Sequence, residues 1–532
     1  MSGNRDKLLD KYSAKVYKNR KEHILQFDEG GEKQVISANT RAIPGVITER
    51  GCCYSGCKGV VLGPVKDVCT ITHGPIGCGF YTWGTRRNKA RPNEDGKNFT
   101  VYCLSTDMQE PDIVFGGEKK LAKAIDEAVE IFSPKFIAIA CTCPIGLIGD
   151  DVKAVAKAAE EKYGIKVISF NCEGYKGVSQ SGGHHIANNG LMQHIIGIGD
   201  DQPKTKFSIN VLGEYNIGGD GWEVERILKR CGFEVRNIFT GDGTFESLKS
   251  AHTAHLNIVM CHRSINYVAE MMRQKYGMHW MKVNFIGMNA SCQSLRKIAK
   301  YFDDPELTKR VEEVIADEMA AIKEDMEYYR SKLEGKTAGV FAGGARAHHY
   351  KILLKDLGMK AIITGYEFAH RDDYEGREVI PTIKEDADSK NIENLVLEPD
   401  EKLYRKQLTP EQVEALKEKG IVLADYPGLF PDTEAEDIVL DDYNHYETEQ
   451  LLKIFKPDIM LSGVKDKYSI QKTGVASRQI HAYDYSGPYA GFRGAVNFGR
   501  DLTMDLYTNA WKLVTPPWKH GAMITGEFKE DK

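Results

Sequence analysis

From about residue 117 onward the chain keeps repeating one local grammar, and that grammar restricts its fold more than any other feature. A short β-branched or apolar run is followed by an amphipathic stretch at helical spacing, then by another short run. Lys135–Cys141 (KFIAIAC) reads as a strand. Asp150–Tyr163 reads as a helix ending at Gly164, and Lys166–Asn171 as the next strand. The pattern resumes with strands at Phe207–Leu212, Glu234–Phe239 and Leu256–Met260, and with helices around Trp222–Cys231 and Asn266–Tyr276. Further strands follow at Lys336–Phe341, Lys360–Thr364 and Asp458–Leu461. Strands that alternate with helices build parallel α/β sheets. A single α/β barrel of about 250 residues would leave half of the 532-residue chain unexplained.

The expected architecture is therefore α/β, with three doubly wound, Rossmann-like domains of parallel sheets around a buried cleft. The expected divisions are an N-terminal arm (1–40), domain I (41–205), domain II (206–335), domain III (336–500) and a C-terminal tail (501–532). Two segments break the rhythm. Leu307–Arg330 is a long charged helix that connects or packs domains. Residues 379–432 are charged and poor in apolar runs, and read as a surface insertion.

Open α/β sheets bind ligands beyond the carboxyl ends of their strands. At those ends the chain places Cys141, Cys143 and Pro144; Cys261, His262 and Arg263; Gly343, Gly344 and Arg346, with His348 and His349; Glu367 and His370; Gly463 and Lys465; and Gln479, His481 and Tyr483. Soft ligands, imidazoles and cations at so many strand ends point to one shared cleft. A metal–sulfur cluster or a metal-bound polycarboxylate suits that chemistry. The common alternatives are missing: there is no GxxxxGK[ST] loop for ATP, no GxGxxG, no CxxC pair, no HExxH and no GxSxG. Net charge is −5 and the pI about 6.3, which argues against a nucleic-acid partner. There is no signal-peptide h-region and no run of 18 apolar residues, so the expectation is a cytoplasmic protein with no membrane span.

Eight of the 12 cysteines fall in the first 150 residues. Cys52 and Cys78 lie in Gly-rich loops, where backbone N–H groups can approach sulfides, and Cys143 follows a strand. If these three converge they supply three thiolates. A four-iron cubane normally takes four, so another chain would complete the site.

Eight segments carry a resemblance to a known family: RGCCYSGCKGVV, THGPIGC, CPIGLIGDD, GVSQSGGHHIAN, GEYNIGGD, CHRSINY, GYEFAHRDDY and HAYDYSGPYAGF. From about Asn39 to Pro517 the chain resembles the alpha chains of the nitrogenase molybdenum–iron proteins, in the long-insertion subtype found in clostridia and some archaea. The resemblance implies the catalytic subunit that reduces dinitrogen to ammonia, with proton reduction to hydrogen. Electrons would come from a separate ATP-hydrolysing iron protein, in keeping with the missing ATP loop. It implies an α2β2 assembly with a beta chain. It implies an 8Fe–7S P-cluster shared with that chain, held here by Cys52, Cys78 and Cys143. It also implies a 7Fe–Mo–9S–C cofactor with homocitrate, held by Cys261 and His481.

By the same resemblance Gln180 and Lys465 contact homocitrate, and His184 hydrogen-bonds a sulfide and relays protons. Arg86 and Arg346 lie beside the cofactor, Gly343 and Gly344 close on it, Val60 shields the reactive face, and Glu367 and Phe368 form the wall. The chain departs from the family's usual pattern at His262, where an aromatic often stands, and at Gln479, where some members carry a carboxylate. The other cysteines match no ligand position. Two other readings remain: a cofactor-assembly scaffold of the same fold, and a vanadium or iron-only nitrogenase alpha chain. The full residue set weighs against the first, and the GGARAHH and HAYDYSGPY segments against the second.

Overall fold

The structure, a computed structural model, describes residues 4–27, 34–38, 40–46, 48, 50–85, 88–199, 205–343, 346–377, 389–403, 408–463 and 465–508, without the side chain of His262. Arg86, Gly344, the His262 side chain, part of the insertion and the end of the tail lie outside the described residues.

The chain forms three sheets. After the short strand β1 (Ile24–Gln26), strands β2 (Val68–His73), β3 (Leu104–Ser105), β4 (Phe136–Cys141) and β5 (Lys166–Phe170) make a parallel sheet in the order β3-β2-β4-β5. Every residue of β4 is buried, as expected for a central parallel strand covered on both faces. Strands β6 (Ser208–Glu214), β7 (Glu234–Thr240), β8 (Leu256–Val259) and β9 (His279–Lys282) make the second parallel sheet, ordered β7-β6-β8-β9. The third comprises β10 (Thr337–Ala342), β11 (Lys360–Tyr366), β12 (Ile438–Asp441), β13 (Ile459–Ser462) and β14 (Ala476–Gln479). Its order is β1-β12-β11-β10-β13-β14, parallel except for β1.

Helix Pro305–Leu333 starts with proline in its first turn, where no N–H is needed. The Asp304 carboxylate accepts the Leu307 N–H at 2.9 Å. Its buried face (Leu307, Val311, Ile315, Ile322, Met326) packs on helices Met288–Phe302 and Gly491–Tyr507. This helix therefore ties domain II to the C-terminal helix. Among the described residues no helix is long and apolar enough to cross a membrane.

Three of the expected divisions differ from the structure. The first 40 residues are no separate arm. β1 pairs antiparallel with β12, and the buried Arg20 makes a bidentate contact to Glu447 at 2.8 and 2.9 Å. A pairing across more than 400 residues leaves no local periodicity to read. Helix Gly491–Tyr507 runs unbroken across the expected start of the tail at 501. The insertion is also more than a surface elaboration. Ile392 is buried against Ile186 and Tyr267, and Asn189 donates to the Glu393 carbonyl at 2.8 Å. Ile421, Tyr426 and Leu429 are buried too, and the Tyr426 hydroxyl binds Asp372. Its few apolar anchors are scattered among charges, so composition concealed them.

Candidate functional site

A cavity of about 290 Å³ opens where the three sheets meet, and its walls come largely from strand ends. Tyr215 and Ile217 follow β6, Cys261 follows β8, and Gly343 and Arg346 follow β10. Glu367 and Phe368 follow β11, Lys465 follows β13, and His481 follows β14. Domain I adds Gln180 and His184 from the start of helix Ser181–His194, and Val60 from the π-helical segment Ser55–Leu62. Of the candidates read from sequence for this cleft, the cavity gathers Val60, Gln180, His184, Cys261, Gly343, Arg346, Glu367, Phe368, Lys465 and His481. Gln479 is buried in β14 but does not line it.

The lining is preset by its neighbours. The Gly343 N–H donates to His481 Nε2 at 3.1 Å, while Nδ1 lies 3.6 Å from Glu367 Oε1. Gly343 itself has no substitute: a Cβ there would collide with the Phe368 ring, so only glycine lets that backbone close on the cavity. Phe368 in turn meets the His184 ring edge-on at 5.4 Å between centroids.

Arg346 is buried, and its Nη1 donates to the Tyr483 hydroxyl at 2.5 Å. Burial opposes its charge, but Tyr483, Glu214, Tyr350 and Asp220 around it hold its pKa well above the ordinary value. Arg346 and Lys465 thus give the cavity fixed positive charge. A cavity with one thiol, two imidazoles, two cations and a backbone cradle fits an anionic metal–sulfur group.

The other three cysteines meet near the surface. Gly174 N–H donates to Cys143 Sγ at 3.2 Å. A Cβ on Gly174 would stand 3.0 Å from Cys143 Sγ and 3.4 Å from Cys52 Sγ, so this glycine lines the seat of both thiols. Burial, together with negative charge on Cys52 and Cys143, raises the Cys78 thiol. Thiolates gathered at one place are held together by a cationic centre between them. Among the described residues no three Cys, His, Asp or Glu side chains are placed to share one metal ion. The donors suit a larger cluster, in which inorganic sulfides span the gaps.

Cys52 and Cys78 are exposed, and the neighbouring surface is apolar: Phe80, Tyr81, Phe115, Leu147 and Tyr175 all lie open. Exposed apolar patches of this kind are common at surfaces where proteins associate. The remaining thiols behave differently. Burial pushes Cys69 and Cys231 up to about 12 and raises Cys53, Cys57, Cys141, Cys172 and Cys292. Such groups stay protonated and pack as small apolar side chains.

Sequence reasoning did not single out Ser55, Tyr81, Tyr215, Ile217 and Ser264, which also line the cavity. It also missed the Glu214–Asp220 pair behind Arg346, although the GEYNIGGD segment contains both and follows a strand.

Comparison with known proteins agrees with this geometry. Residues 52–507 match the family described as Nitrogenase component 1 type Oxidoreductase. The nitrogenase molybdenum-iron protein alpha chain of Clostridium pasteurianum is 56% identical over 516 residues, covering 97% of this chain and 96% of that one. Its counterpart from Methanosarcina barkeri is 56% identical over 514 residues, with the same coverage of 97% and 96%. The counterpart from Bradyrhizobium diazoefficiens is 38% identical over 521 residues, covering 97% and 94%. The solved structure titled "Nitrogenase Cp1 at pH 6.5" superposes with a TM-score of 0.93 at 56% identity, covering 97% of this chain and 100% of that one.

Proposed function

Because this chain belongs to the nitrogenase component 1 type oxidoreductases, as one of their molybdenum–iron protein alpha chains, we propose that its central cavity holds the iron–molybdenum cofactor with homocitrate. The chain is an oxidoreductase, the catalytic alpha subunit of a nitrogenase. One observation carries the cofactor reading: Cys261 from domain II and His481 from domain III meet in one cavity with Arg346 and Lys465. When bound, the cofactor supplies the multi-electron redox chemistry that reduces dinitrogen to ammonia and protons to hydrogen.

The chain's own residues do the rest. Cys261 and His481 anchor the cluster from two domains, which fixes its orientation. Arg346, Lys465 and Arg86 offset its negative charge in a buried setting where unpaired charge is costly. Gln180 and Lys465 hold the organic acid. Gly343, with no Cβ, lets the backbone after β10 close on the group, and Gly344 is the matching neighbour in sequence. Val60, Glu367 and Phe368 shape the wall and limit access of water. His184 holds and passes protons, a role for which an imidazole side chain is suited.

Cys52, Cys78 and Cys143 hold one half of a P-cluster, and a beta chain covering the apolar surface around them supplies the other half. The working unit is then an α2β2 heterotetramer in the cytoplasm. A separate iron protein that hydrolyses ATP delivers electrons, as this chain carries no phosphate-binding loop of its own.

Metal analysis tests the reading. The purified complex should contain molybdenum and about fifteen or more irons per alpha–beta pair, and should reduce dinitrogen and acetylene once the iron protein is added. Vanadium in place of molybdenum would overturn the cofactor assignment, and a complex that binds the cofactor but passes it on without turnover would favour the assembly scaffold. His184→Asn should retain its molybdenum while dinitrogen reduction falls about 100-fold, the lower end of a general acid's contribution. Loss of molybdenum in that variant would make His184 structural instead.

A further inference from the structure

Behind Arg346, on the side away from the cavity, two carboxylates share one cation. Arg346 Nη2 lies 3.8 Å from Glu214 Oε2, and Nη1 lies 3.8 Å from Asp220 Oδ2. Glu214, Asp220 and Arg346 are all buried. The other side chains that meet them are the phenols of Tyr483 and Tyr350, joined hydroxyl to hydroxyl at 2.7 Å. Two carboxylates against one guanidinium leave a surplus negative charge with no water to solvate it, and such a cluster sheds the charge by taking up a proton.

The hydrogen bonds decide which carboxylate takes it. Asp220 accepts three: the N–H groups of Tyr489 at 2.7 Å and Ala490 at 2.9 Å, and the Tyr483 hydroxyl at 2.5 Å. Burial raises Asp220, but the Arg346 charge and these three donors oppose that, so of the two carboxylates it is the better held as the anion. Glu214 accepts the Asn216 N–H on Oε1 at 2.8 Å and is helped by the Tyr215 N–H, while its Oε2 is buried without a hydrogen-bond partner among the described residues.

We propose that Glu214 is a positioning residue that carries this proton on Oε2 and thereby leaves the Arg346 charge directed at the cavity. The proposal rests on the cavity holding an anionic cluster. The Glu214 carboxylate faces Arg346, and it acts through that guanidinium. While Glu214 is neutral, Asp220 alone balances the guanidinium from behind. When Glu214 ionises, two carboxylates pull on it and the positive potential in the cavity falls. Burial and the Asp220 charge raise Glu214, Arg346 lowers it, and the balance stands at about 7. The cluster is therefore poised to release its proton as the pH rises through neutrality, and its hold on an anionic, reduced cofactor weakens in that direction.

Glu214→Gln tests this in the intact metal-loaded alpha–beta complex, because glutamine keeps the shape and is permanently uncharged. In pH-difference infrared spectra the wild type should show a carboxylic acid C=O band that is lost around pH 7. The band should shift with isotope-labelled glutamate and not with labelled aspartate, and it should be absent from Glu214→Gln. The electron paramagnetic resonance spectrum of the wild-type complex should change over the same pH range. Glu214→Gln should lose that change and keep its molybdenum.

A band that follows aspartate labelling, or one that persists in Glu214→Gln, overturns the proposal. So does loss of molybdenum from Glu214→Gln, because the ionised carboxylate would then be the required form. The labelled wild type alone decides the proton's place if the variant does not assemble. The infrared result also stands in a complex made without cofactor, so absence of molybdenum from the wild type would sink the cavity reading while leaving the proton on Glu214.

Discussion

Cys261→Ala should yield an alpha–beta complex that keeps its P-cluster iron but contains almost no molybdenum, with dinitrogen reduction lowered at least ~100-fold. A buried metal group loses roughly 10–100-fold in affinity or activity when a supporting partner is removed, and Cys261 is proposed as a direct ligand. The side chain has no other part to play. Cys261 precedes helix His262–Tyr276 without capping it through its side chain, and it lines the cavity. Alanine there would remove a thiol and little packing, so the fold should survive. The readouts are metal content and the electron paramagnetic resonance spectrum of the purified complex. A Cys261→Ala complex that retains molybdenum would remove the basis for placing the cofactor in this cavity. Cys143→Ala should do the converse, lowering P-cluster iron while the cavity residues stay in place.

The largest effect on stability should come from Arg263, one turn of chain beyond that cysteine. Its Nη1 lies 3.2 Å from Asp372 Oδ1 and 3.0 Å from Asp373 Oδ2, with all three side chains fully buried. Arg263→Ala removes the guanidinium that both buried carboxylates contact, at a cost of about 3–5 kcal/mol. The thermal unfolding transition of the complex should fall by roughly 6–20 °C, at about 2–4 °C per kcal/mol for domains of this size. Adding Asp372→Asn and Asp373→Asn to Arg263→Ala should restore much of the loss, because the penalty lies in the uncompensated charges. A shift within 1 °C would mean that water reaches the group. This ion cluster joins domain II to the segment after β11, so its loss would also loosen the wall that carries Glu367 and Phe368.

Much of this site can be read from residue order alone, for a physical reason. Parallel α/β sheets place their functional residues at strand ends, so a strand pattern followed by Cys261, Gly343, Glu367 or Lys465 already locates each of them in the wall of a cleft. The strands that went unread show the limit. β14 (ASRQ) and β9 (HWMK) are short and mixed in polarity, and β1 owes its place to a partner strand more than 400 residues away. The Glu214–Asp220–Arg346 cluster was unreadable for a different reason. Each residue has an ordinary surface meaning in sequence, and only burial turns their charge count into a constraint. The insertion shows the same effect: Ile392 and Tyr426 matter because of what they touch, and their neighbours in sequence say nothing about it.

The edge-strand pairing of β1 with β12 also bears on the order in which the molecule can be made. The first strand to leave the ribosome pairs, among the described residues, with 438–441, and the cavity takes the wall residue His481 later still. Domains generally form in the order of synthesis, yet here the N-terminal strand must wait for nearly the whole polypeptide. No half-translated chain can present a complete cavity. A cluster held in the proposed cavity would therefore have to enter a finished, folded subunit.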